Sequence, residues 1–104
     1  MDEEFKVIDN YLMIRMPMEI DHHKSVDISA KADRYIVSMK VGNVVFDFER
    51  TTFMDSSGIG LIMGRYKLMR ECGGTLVVCN PQPYIKRVFK LSGIERLVRI
   101  AGDK

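Results

Sequence analysis

Two β-rich runs, Val44-Val45-Phe46-Asp47-Phe48 and Thr75-Leu76-Val77-Val78-Cys79, limit what this chain can fold into more than any other feature. Runs that are apolar on successive residues belong to central strands of a largely parallel sheet, and parallel neighbours must be joined by crossovers, usually helices. The intervening sequence supplies them. From Ser25 onward, Ile28, Ala32, Tyr35, Ile36 and Met39 recur at helical spacing, with Lys31, Asp33, Arg34 and Lys40 on the other side. That spacing predicts an amphipathic helix capped by Ser25 and ended by Gly42. A second helix is expected from about Ser57 to Cys72, closed by Gly73-Gly74, which supply the left-handed backbone a helix end often needs. Pro83 suits the first position of a third helix, which carries Ile85, Val88 and Phe89 and stops at Gly93.

Strands complete the pattern. Phe5 to Ile8 and Tyr11 to Met16 flank the turn-favouring pair Asp9-Asn10 and predict an opening hairpin, with Pro17 at a strand end. Leu97 to Ile100 reads as the last strand, and the polar Gly102-Asp103-Lys104 is expected to fray. The fold class is therefore α/β: a mixed, largely parallel sheet of four or five strands with amphipathic helices packed on it. At 104 residues and 46% hydrophobic, the chain is long enough for one core, so a single domain over 1–104 is expected.

Charge and composition narrow the function. The 16 basic and 14 acidic residues leave +2 with no long run of one sign, which argues against nucleic acid and against a polybasic membrane anchor. No apolar stretch approaches the roughly 20 residues that span a bilayer, and Met1-Asp2-Glu3-Glu4 is acidic where a signal peptide is basic. A soluble, cytoplasmic protein is expected. Cys72 and Cys79 match no C-x-x-C pattern and lie in apolar contexts, which favours two buried thiols over a disulfide or a metal site.

The residues able to do chemistry gather at Met54-Asp55-Ser56-Ser57-Gly58-Ile59-Gly60, where a strand-like run passes into a helix. Asp, Ser and Gly before a helix are first of all capping residues. The same place concentrates free N–H groups and the positive end of the helix dipole, so a phosphate on Ser56 or Ser57 would be tolerated there. The segment lacks the G-x-x-x-x-G-K-[ST] pattern of a P-loop and the G-x-S-x-G of a nucleophile elbow. Projected at 100° per residue, Ile59, Ile62, Tyr66 and Met69 share the side assigned to the sheet. Ser56, Gly60 and Gly64 share another, beside Met63 and Lys67. Two glycines in one helix cost roughly 1 kcal/mol each against alanine. They therefore imply either tight packing within the domain or close approach of a partner's backbone. Asp21-His22-His23, read as a loop, lacks the spacing and the third ligand of a metal site. Pairing of Ser56 with His22 or His23 as a hydrolase has no oxyanion-hole motif behind it.

Phe53-Met54-Asp55-Ser56-Ser57-Gly58-Ile59-Gly60, continued by Gly64-Arg65-Tyr66-Lys67, resembles the phosphorylation-site helix of bacterial anti-sigma factor antagonists, which are STAS domains. Glu19-Ile20-Asp21-His22-His23, Gly73 to Cys79 and Lys86 to Ile94 resemble other segments of the same family in the same order. D-S-S-G and G-R-Y-K match the sporulation branch, the anti-sigma F factor antagonists, better than the stress-response branch. The resemblance implies a regulator with no turnover of its own and no cofactor. In the family, the unmodified antagonist binds an ATP-bound anti-sigma factor that is also its serine kinase, and so frees the sigma factor. Phosphorylation of the first serine after the aspartate inactivates it, and a PP2C-type phosphatase restores it. Carried onto this chain, the phosphorylated residue is Ser56. The expected partner surface comprises Asp21, His22, His23, Asp55, Ser57, Gly60, Met63, Gly64 and Lys67. A monomer is the expectation for the free protein, and the C-terminal helix of longer relatives is expected to be missing or reduced. A sensor or scaffold STAS domain is the second reading, and a Ser56-dependent enzyme a distant third.

Overall fold

The computed structural model describes residues 4–102, and Met1 to Glu3 with Asp103 and Lys104, including most of the fraying tail, lie outside them. Strand β1 (Phe5–Ile8) turns at Asp9, whose φ is 53°, and pairs antiparallel with β2 (Tyr11–Arg15), so the expected hairpin is present. A two-residue strand β3 (Glu19–Ile20) leads into α1 (His22–Met39). Strands β4 (Asn43–Asp47) and β5 (Phe53–Met54) precede α2 (Ser56–Glu71). Strand β6 (Thr75–Cys79), α3 (Pro83–Ser92), a 3-10 turn (Ile94–Arg96) and β7 (Arg99–Ala101) complete the order.

The main sheet runs β1-β2-β4-β6-β7, parallel in every pair except the hairpin. Because that order never doubles back, right-handed crossovers place α1, α2 and α3 on one face. Burial follows the same division. Leu12, Ile14, Val44, Phe46, Leu76 and Val78 point to the helical side and are buried, whereas Met13, Val45 and Val77 in between are half-buried. Phe46, Phe48 and Phe89 form the centre of the core, with Phe48 and Phe89 edge to face at 5.3 Å.

A second ladder, β3 paired parallel with β5, was not anticipated from sequence. Two residues per strand give no periodicity to read. It is held by the loops around it: buried Thr51 donates its hydroxyl to the Pro17 carbonyl at 2.7 Å, and the Thr52 amide donates to the Met18 carbonyl at 2.8 Å.

Several boundaries differ from expectation. The α1 cap is Asp21, not Ser25: the Asp21 carboxylate accepts from the Lys24 amide at 2.9 Å, and Ser25 lies one turn inside. The helix ends at Lys40, which takes the left-handed conformation (φ 51°), rather than at Gly42. Gly42 serves close packing instead, since a Cβ there would fall 2.3 Å from Asn10 Nδ2. Met39 is exposed, and the buried α1 stripe is Ser25, Ile28, Ala32 and Ile36. The last strand begins at Arg99 because Ile94 and Val98 are buried through the 3-10 turn, leaving Leu97 exposed. Both cysteines are free, but Cys72 is exposed at the end of α2 and Cys79 is only partly covered, contrary to the expectation of two buried thiols.

Candidate functional site

The small ladder brings two strand-to-helix junctions together. Ile20-Asp21-His22 and Met54-Asp55-Ser56 run side by side, paired Ile20 to Met54, and the Asp55 amide donates to the Ile20 carbonyl at 3.2 Å. Each aspartate caps its own helix. Two helix N-termini, each with a surplus of N–H groups and positive dipole potential, therefore open on one side of the molecule. His22 and His23 are the first two residues of α1, not loop residues as expected, because Asp21 starts the helix before them.

At the head of α2 the two serines have different fates. Asp55 is in extended backbone (φ −93°, ψ −176°), and its Oδ1 accepts both the Ser57 amide, at 2.9 Å, and the Ser57 hydroxyl. These bonds from the Ser57 hydroxyl and amide hold the Asp55 carboxyl below its usual pKa, with a smaller contribution from the nearby His22 against a partial penalty of burial. Ser57 Oγ lies 3.0 Å from Ser25 Oγ of α1. Ser56 is exposed at the first helical position.

The α2 glycines separate into two kinds. Gly58 is buried, and a Cβ there would fall 2.3 Å from Met54 Cγ and Sδ, so packing requires it. A Cβ on Gly60 or Gly64 would meet nothing within 4 Å. Tight packing within the domain therefore does not account for these two. They form a bare strip running from Ser56, with exposed Lys67 beyond and Met63 half-buried against the core beside it.

The helix projection is correct for Ile62 and Met69, which are fully buried, and for Ile59 and Tyr66, which are half-buried against the core. Leu61 was missed. It is 3% exposed because α2 packs on α1 as well as on the sheet. A groove between the two helices is lined by His22, Ser25, Val26, Ser57, Gly60 and Leu61, with Arg65 at one end. Arg65 Nε meets Asp33 Oδ1 of α1 at 2.9 Å and ties the helices there. Asp21 and His23, which flank His22 in sequence, are exposed and do not line the groove.

Among the described residues, no group of three or more His, Cys, Asp or Glu side chains is placed to hold a metal ion, and no helix is long and apolar enough to cross a membrane.

An α/β sheet with its helices on one face and a capped, serine-bearing helix start at its end places the molecule in a known class. The chain belongs to the STAS domain family, whose model matches residues 3–103. Within that family it is 36% identical over 93 residues to the anti-sigma F factor antagonist of Paenibacillus polymyxa, covering 89% of this chain and 80% of that protein. The solved structure of the anti-sigma factor antagonist SpoIIAA in its unphosphorylated form has a TM-score of 0.85 at 33% identity, covering 96% of this chain and 85% of that one. The phosphorylated form of SpoIIAA from Bacillus has a TM-score of 0.75 at 34% identity, covering 96% and 90%.

Proposed function

We propose that this protein is an anti-sigma factor antagonist that works by phosphorylation-gated docking. Unmodified, it binds an ATP-bound anti-sigma factor that is also its serine kinase, and so releases a sigma factor. Modified on Ser56, it does not bind; a PP2C-type phosphatase returns it to the active form. The sporulation branch is the preferred setting, given the relatives named as anti-sigma F factor antagonists. The protein is thus a substrate of enzymes rather than an enzyme.

The observation that carries this reading is the open strip. Gly60 and Gly64 sit in a helix at a propensity cost of roughly 1 kcal/mol each, yet among the described residues nothing lies within 4 Å of where a Cβ on either would be. Close approach of a partner's backbone gives that cost a purpose. The proposed docking surface centres on Ser56, Gly60 and Gly64, flanked by Asp55, Ser57, Met63 and Lys67, with Asp21, His22 and His23 from the neighbouring helix start.

Phosphate on Ser56 adds roughly 1.5 to 2 negative charges. Two adjacent helix N-termini favour that charge, although ionised Asp55 opposes it. The fold should survive modification, and inactivation should act at the interface, through bulk, desolvation and repulsion from a partner's acidic groups or nucleotide phosphates. Incubation with the host's anti-sigma kinase and ATP, followed by mass spectrometry, is the direct test. Label is expected on the wild type and not on Ser56→Ala; label persisting in Ser56→Ala would remove the site assignment. Thermal melting of the modified protein is expected to change little while anti-sigma binding is lost. Gly60→Arg and Gly64→Arg are expected to remain folded and to bind weakly, and normal binding by both would sink the strip as a docking surface.

A further inference from the structure

Ser56 and Ser57 are neighbours with the same chemistry, both at the start of α2, and the reading above needs only one of them to be modified. The hydrogen-bond network separates them. Asp55, with its lowered pKa, is a carboxylate with no proton to give, so its contact with Ser57 Oγ is made by the Ser57 proton. That proton being committed, the 3.0 Å contact between Ser57 Oγ and Ser25 Oγ is made by the Ser25 proton. The order is fixed: Ser25 donates to Ser57, and Ser57 donates to Asp55. Ser57 therefore has its proton and one lone pair engaged, and its oxygen faces α1. Ser25 is 4% exposed, so its hydroxyl is held mainly by protein partners. Ser56 makes no such bonds among the described residues.

We infer that Ser25 is a positioning residue that confines phosphorylation to Ser56 by holding the Ser57 hydroxyl against α1. For Ser57 to attack a phosphoryl donor it must turn outward, breaking both its bond to Asp55 and its contact with Ser25. Losing two hydrogen bonds together, one of them to a carboxylate, is costly enough to suppress the turned-out state roughly tenfold or more. This inference rests on the kinase reading. It goes further by assigning the choice between two adjacent hydroxyls to a side chain on a different helix, 32 residues away in sequence.

The test uses the full chain, the anti-sigma kinase and ATP, with site-resolved mass spectrometry. Ser56→Ala alone is expected to leave Ser57 nearly unlabelled. Adding Ser25→Ala, which removes one of the two bonds, should raise Ser57 labelling several-fold, roughly three- to tenfold, and Ser25→Thr in its place, which keeps the hydroxyl, should return it toward background. Circular dichroism and binding of the unmodified variants to the anti-sigma factor establish that each is folded and presented to the kinase. Ser57 labelling that is unchanged in the folded Ser25→Ala, Ser56→Ala variant overturns the inference and leaves the switch reading intact. Equal rises with Ala and Thr at 25 also overturn it, since loss of packing rather than of the hydroxyl would then be responsible. A wild-type protein unlabelled at either serine overturns the switch reading and this inference with it.

Discussion

Asp55 engages two groups of one neighbour with a single carboxylate. Its carboxylate caps α2 through the Ser57 amide and engages the Ser57 hydroxyl, and these bonds favour the charged form. A carboxyl with a depressed folded-state pKa contributes stability above its unfolded-state value, and loses it as pH falls through the folded-state value. Melting temperatures of wild type and Asp55→Asn should therefore differ most near neutrality and converge at pH values below the usual carboxylate range; a constant gap would show that Asp55 does not carry this linkage. The thiols provide a second residue-level contrast. Burial, then the charges of Asp47 and Glu49, raise the Cys79 pKa, whereas Cys72 is exposed. Alkylation at pH 7–8 requires thiolate, so mass spectrometry should find Cys72 labelled first. Faster labelling of Cys79 would contradict its placement. Ser25 is the residue that sequence reading left as a cap. Its position three before Ile28 on the buried stripe of α1 was the available signal, but a lone serine before an apolar run reads first as an N-cap.

The α2 helix reconciles a stable core with an unfinished surface. Replacing Gly60 or Gly64 by Ala adds a methyl group into open space and removes the flexibility of glycine, so each variant is expected to gain about 0.5–1 kcal/mol in denaturant unfolding. Gly58→Ala should do the opposite, losing about 1–3 kcal/mol as the added Cβ presses on Met54. A loss at position 60 or 64 would mean that the strip is filled in the free protein. Elements of this length were largely legible from sequence. Strand β6 and helix α3 occur where their apolar runs, Pro83 and Gly93 predicted, because each has several residues of period and a stop signal. The β3–β5 ladder was invisible for the opposite reason: pairs of two residues carry no pattern, and their partners are brought together only by the folded loops. The missed burial of Leu61 has the same origin. A helical projection finds one apolar side, but α2 has two neighbours.

At the scale of the whole molecule, stability rests on one side of the sheet. Phe89 from α3 meets Phe48 beyond the end of β4, and Phe5 stacks on Tyr35 at 5.2 Å to hold the hairpin to α1. Phe89→Ala should cost about 3–5 kcal/mol, a large share of the roughly 5–15 kcal/mol available to a domain; a midpoint shift under 1 kcal/mol would show that α3 is not integral to the core. The strand order has a further bearing on how the protein is made. Tyr11 pairs with Asn43, and Asn43 with Thr75, so β4 and β6 are each laid against their predecessor after a span of 32 residues, and β7 follows β6 after a shorter one, with Val77 opposite Arg99. None has to be inserted between two strands already paired. A chain leaving the ribosome N-terminus first can extend the sheet at its growing edge, one crossover at a time. The serine-bearing helix α2 is anchored at its far end only when β6 joins β4. Throughout synthesis up to that point the surface proposed for docking is incomplete, so on that proposal a nascent chain does not yet present Ser56 to a partner.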